Sequence, residues 1–139
     1  MGKGNLAMDA AKLNSPNYSG SIDFTIAEQH ADRVIGKMPV QPGILNPFGT
    51  VHAGAMVWFA DVCATRLAIG NAQLGEGGAG FQLAIDLQTV LLGNRRDGEL
   101  TAEARFVRQG KRVSVVRTAV TGPDGRLLME LTSTHVPAG

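Results

Sequence analysis

The chain has 139 residues, 44% of them hydrophobic and 18% charged, with a formal net charge of +1. That length suits one domain with a modest core, and the near-neutral balance gives no electrostatic case for a nucleic-acid partner. A lone cysteine, Cys63, excludes a disulfide framework within the chain and fits a reducing, cytoplasmic setting.

The opening "MGKGNLAMDAAKLN" has no apolar stretch of the signal-peptide kind, and Leu6 stands where N-myristoylation wants Ser or Thr. Residues 1–20 read as a flexible or short-helical lead-in, and residues 21–139 as one domain. "SIDFTIAEQHADRVIGKMPVQPG" begins with apolar residues at period two, Ile22, Phe24 and Ile26. It continues through Val34, Ile35, Met38 and Val40 to a Gln-Pro-Gly turn, which predicts a first strand in two pieces.

"NPFGTVHAGAMVWFADVCATRLAIG" opens with turn residues and then predicts a helix over 51–69, with Thr50 as N-cap and Gly70 as the residue that ends it. Trp58 and Phe59 are expected in the core or at an interface. The run is long enough to raise a membrane span, but Asp61 at its centre and Arg66 near its end argue for a buried core helix. A carboxylate in so apolar a segment is costly unless it is paired or used. Asp61 is therefore either a structural acid, with Arg66 as one partner, or a functional one.

"GNAQLGEGGAG" is a glycine-rich connection without the Lys and Ser/Thr spacing of a phosphate-binding loop. Four strands follow: "FQLAIDLQTVLL", "ELTAEARFVRQ", "KRVSVVRTAVT" and "RLLMELTSTHV". The second alternates cleanly, with Leu100, Ala102, Ala104 and Phe106 on one face. The fold class is thus α+β, a curved antiparallel sheet wrapped around one long buried helix, and its open edge invites a second copy. Three scattered histidines and Cys63 make no metal site, and no cofactor is expected.

Asn46, Gly49, "VHAG" at 51–54 and Asp61 together resemble the signature of hotdog-fold acyl-CoA thioesterases. The similar branch holds phenylacetate-pathway and Arthrobacter-type 4-hydroxybenzoyl-CoA thioesterases. The likeness runs over residues 20–137 and includes "RQGKRVSVVRTAV" and "GPDGRLL". Ala53 departs from it, standing where the family has the first glycine of His-Gly-Gly. The family uses that residue's backbone N–H, which alanine keeps.

The resemblance implies Asp61 as base or nucleophile, the Ala53 N–H as oxyanion donor, and supporting roles for Asn46 and Thr65. Thr65 lies one turn after Asp61 on the same face. His52 and Gly54 flank Ala53 as candidate substrate-binding positions, with orientation of the loop the more ordinary role for His52. Arg108, Lys111 and Arg112 are candidates for the coenzyme A phosphates or a solvated hairpin end. Ala53 and Asp61 are eight residues apart, about 12 Å along one helix, too far to serve one carbonyl together. Two antiparallel helices across a two-fold axis would solve this, so a dimer or a tetramer of paired dimers is expected. No membrane partner is expected. The competing reading is an acyl-CoA binding or hydratase-type protein of the same fold.

Overall fold

The computed structural model describes residues 8–139; the first seven positions of the expected lead-in lie outside the described residues. A short helix, α1 (Ala10–Asn14), is capped by Asp9, whose side chain accepts from the Lys12 N–H. The N–H of Asp9 reaches Pro47 O at 2.7 Å, and Lys12 Nζ reaches the Leu45 carbonyl. These bonds tie α1 to the loop that precedes the long helix.

The expected two-piece strand is a hairpin, β1 (Thr25–Gln29) and β2 (Arg33–Pro39). A 3-10 turn at Pro42–Ile44 and a loop lead to α2 (Ala53–Ile69), and then β3 (Gln82–Leu91), β4 (Glu99–Arg108), β5 (Ser114–Thr121) and β6 (Leu127–Pro137) follow. All pairings are antiparallel, in the order β1-β2-β4-β5-β6-β3. The six strands wrap α2 as a hotdog fold. Among the described residues no helix is long and apolar enough to cross a membrane.

The inner face of β4 is the predicted one: Leu100, Ala102 and Ala104 are fully buried and Phe106 packs against them. From α2, Met56, Phe59, Ala60, Cys63, Ala64 and Leu67 meet that face. Gly36 on β2 marks the closest approach of sheet and helix. A Cβ there would lie 2.5 Å from Cys63 Sγ and 2.9 Å from Phe59 Cε1. Gly36→Ala is therefore expected to cost about 1–3 kcal/mol through overpacking, since both neighbours are buried. A thermal melt checks it; an unchanged midpoint would show that α2 can ride outward at no cost.

Two expectations are corrected. The helix starts at Ala53 rather than 51, with His52 at the N-cap and no side-chain cap, so Thr50 does not cap it. Val51 instead bridges to Leu45, and its backbone is held from both sides by Asn94: Asn94 Oδ1 accepts from Val51 N at 3.0 Å and Nδ2 donates to Val51 O at 2.8 Å. Nor is α2 covered all round within one chain. Trp58 is 52% exposed, packed edge-on to Phe24 at 5.7 Å between centroids, whereas Phe59 is fully buried. Gly54 is also exposed, and Asp61, Val62 and Thr65 are half-buried along the same side.

Candidate active site

Asp61 lies two turns into α2, on the flank that turns toward β3 rather than toward the sheet centre. It shares a cavity of about 420 Å³ with Val62, Thr65, Arg66 and Ile69 of α2 and Phe81, Gln82, Leu83 and Ala84 at the start of β3. The walls are largely apolar. Burial pushes the Asp61 carboxyl up from its ordinary value, and the nearby His135 ring opposes this. Oδ1 is buried with no hydrogen-bond partner. Arg66 does not pair with it: its guanidinium donates to Gln29 Oε1 at 2.7 Å. The structural-acid reading with Arg66 as partner is thus not what the geometry shows.

Ala53 stands at the opposite end of the helix. Among the described residues no hydrogen bond takes the N–H of Ala53 or Gly54, so two donors point out of the positive end of α2. His52 and Gly54 line a separate cleft of about 190 Å³ with Trp58 and the backbone crossing at Gly20 and Gly43. The fold therefore brings Asp61 and Thr65 together, and His52, Ala53 and Gly54 together, but puts the two groups at different ends of one helix.

The loop before Ala53 is built by Asn46. Its Oδ1 accepts from Phe48 N at 2.9 Å and Thr50 N at 3.1 Å, and its Nδ2 donates to Thr50 Oγ1 at 2.7 Å. Gly49 completes the turn at φ +79°, a conformation glycine adopts without strain. The structure gives Asn46 a loop-shaping job rather than a free amide aimed at a substrate. The basic cluster divides: Arg105 is tied to Glu103 and Asp32, whereas Arg108, Lys111 and Arg112 are exposed, with no acid among the described residues within ion-pair distance. Their hairpin lies near the C-terminal end of α2, where Gln109 shares a cleft with Ala68, Ile69 and Gly70.

Two further residues bear on the site. Asn94 fixes the backbone one residue before His52, and nothing in "GNRRDG" signals a partner 43 positions away. His135 is fully buried on the inner face of β6, its Nε2 2.7 Å from Ser133 Oγ. Cys63, by contrast, is inert: burial pushes its thiol up to about 12. Among the described residues no group of three or more His, Cys, Asp or Glu is placed to hold a metal ion.

The six-stranded sheet wrapped around α2 is a hotdog fold, and Asp61 stands half-buried on the flank of its helix. The sequence model of a family described as "Domain of unknown function (DUF4442)" matches residues 4–135, and the chain belongs to that family. No curated protein matches the chain. Solved structures share the fold at low identity. A thioesterase from Haemophilus influenzae is 22% identical, with a TM-score of 0.75 over 84% of this chain and 78% of that one. A mutant of a thioesterase enzyme from Staphylococcus aureus is 20% identical, with a TM-score of 0.77 over 84% and 93%. A hypothetical thioesterase from Streptococcus pneumoniae, described with coenzyme A, is 20% identical, with a TM-score of 0.73 over 84% and 87%.

Proposed function

We propose that the protein hydrolyses an acyl-CoA thioester, with an aryl, arylacetyl or medium-chain acyl group, to the free acid and coenzyme A. The observation that carries this is Asp61: an acid with an unpaired buried oxygen, opening on an apolar cavity wide enough for an acyl chain. The names of the similar folds support it, as does the coenzyme A of the pneumococcal one. The phenylacetate and 4-hydroxybenzoyl branch is the finer reading, carried by the loop and helix motif.

Asp61 either removes a proton from an attacking water or attacks the thioester carbonyl itself. In the first route the water oxygen bonds to the carbonyl carbon, the C–S bond breaks, and the proton taken by Asp61 passes to the departing sulfur. In the second, C–S cleavage leaves an acyl–Asp61 anhydride and a thiolate, and a water then hydrolyses the anhydride and supplies the sulfur's proton. In both the oxyanion needs a donor. That donor is the Ala53 N–H of a second copy, brought to Asp61 by an antiparallel helix. The exposed strip of α2 and the edge strand β3 are the surfaces to join. β3 exposes Leu83, Ile85, Leu87, Val90 and Leu91, with Ile85 at 61%, an apolar edge that calls for cover. Thr65 lines the same cavity and orients the water or the carboxylate. Arg108, Lys111 and Arg112 receive the phosphates, and a pair of dimers would complete a cytoplasmic tetramer.

Release of free thiol from a panel of acyl-CoAs tests the activity directly. Turnover of at least one aryl or medium-chain thioester is the expected result. Loss of an enoyl-CoA absorbance without free thiol would point to a hydratase, and binding without either change to a carrier.

A further inference from the structure

The interior of a hotdog sheet is normally apolar, and here it is apolar at one end only. On β5 and β6 the inward positions run Val120, Thr118, Val116, Ser114 and Met129, Leu131, Ser133, His135. Toward the end of β6 that lies beside Asp61, the core residues become Ser114, Ser133 and His135, all buried. His135 is a cross-strand partner of Ala84 on β3 and Ser114 on β5. Ala84 and Gln82 also line the Asp61 cavity. Helix, edge strand and β6 thus converge on one spot, and the small Ala84 leaves it open.

Two buried polar atoms are without partners there, Asp61 Oδ1 and His135 Nδ1. Buried polar atoms are nearly always satisfied, by protein or by an ordered water. The orphan acceptor from α2 and the orphan ring nitrogen from β6 lie at the same end of the core with no direct hydrogen bond between them, and one water placed between them would satisfy both. The far side of the ring is already fixed, with Nε2 on Ser133 Oγ at 2.7 Å. We infer that His135 is a positioning residue for Asp61: Ser133 anchors the ring through Nε2, and Nδ1–H holds Oδ1 through one water, leaving the second oxygen to face the cavity.

The chain Ser133–His135–Asp61 has the connectivity of a hydrolytic triad but runs the other way. Ser133 is fully buried and cannot meet a substrate, whereas the carboxylate end reaches the cavity. The serine therefore sets the histidine, and the histidine sets the acid. Burial pushes His135 down from its ordinary value against the opposing pull of the Gln82 backbone and of Asp61, so at neutral pH the ring is an uncharged donor rather than a counter-ion. Among the described residues lining the cavity or paired with His135, Arg66 is bound to Gln29, Phe81, Gln82, Leu83 and Ala84 carry no charge, with Asp86 exposed, and β5 offers Ser114, so no further titratable group faces the pair. A water held by that neutral N–H and donating to Oδ1 favours the ionised carboxylate and counters the burial that disfavours it.

The inference takes its purpose from the thioesterase reading, and its test does not need turnover. Ring ¹⁵N shifts of the wild-type chain report which nitrogen carries the proton; Nδ1 is expected, and a proton found on Nε2 overturns the proposal without any variant. Titration of ¹³C-labelled aspartate carboxyls follows Asp61 itself, assigned through Asp61→Asn. His135→Leu is expected to move its midpoint up by about one pH unit, and His135→Gln, which keeps an N–H donor, to bring it most of the way back. In kcat/KM the acid limb should shift upward with the same midpoint. A folded His135→Leu chain whose Asp61 titrates where the wild type does would overturn the inference. An inactive wild type with these shifts present would remove the thioesterase reading and leave the positioning intact.

Discussion

Asp61→Asn is expected to leave a folded, ligand-binding chain whose kcat on an acyl-CoA thioester is lower by at least about a hundredfold, the usual scale for losing a general base. The substitution keeps size and hydrogen-bonding capacity and removes both possible roles of the carboxylate. KM should change little, because the acid acts on the carbonyl in the transition state rather than on the bound ground state. Stability should move the other way. Burial raises the Asp61 pKa above its unfolded value, so the folded chain prefers the protonated form. That preference stabilises the fold at acid pH and is lost as pH rises through the folded-state pKa. The Asn variant should therefore melt higher than wild type at neutral pH, and the gap should close as the pH falls below the carboxylate range. An Asn variant that keeps wild-type kcat and melts lower would make Asp61 a structural acid.

That one residue could be picked out from sequence because its context was local. A carboxylate among Trp58, Phe59, Ala60, Val62 and Cys63 stands out in any conformation, and the alternation of Leu100, Ala102 and Ala104 is a property of one strand. What could not be read depends on pairings between distant segments. Nothing in "TSTHV" marks Ser133 and His135 as core until β6 is placed between β5 and β3, and β3 reaches β6 only by a non-local pairing. The start of α2 depends on distant segments for the same reason. Thr50 has the side chain of a good N-cap, but the Leu45 bridge and the Asn94 clamp hold Val51 in an extended conformation and delay the first helical residue to Ala53. Tertiary contacts override a local preference worth about 1 kcal/mol. Asn46 shows the converse: its turn chemistry was evident from Asn-Pro, and the structure uses it for the turn.

The second large effect comes from a single backbone proton. Ala53→Pro removes the N–H of the first helical residue, the proposed oxyanion donor, and little else. Proline is well tolerated at this first position, where no intrahelical bond is lost. The preceding residue must be extended, and His52 already is, at φ −58° and ψ 137°. Ala53 is exposed within the chain, so the ring meets no core. The fold should survive, while kcat falls by about a hundred- to a thousandfold, the range for losing one oxyanion donor. Combining this variant with Asp61→Asn in mixed dimers then reads the architecture. Each homodimer is inactive at both sites. In a heterodimer with the site shared across the two-fold axis, the intact Ala53 of one subunit meets the intact Asp61 of the other, and the second site collects both lesions. Differently tagged subunits, co-expressed and purified through both tags, should recover about half of the wild-type activity per dimer. Sites built within single chains would leave every site carrying one lesion, and the heterodimer would be as inactive as its parents. Recovery therefore requires the antiparallel pairing of two α2 helices, the same contact that would bury Trp58 and the apolar edge of β3.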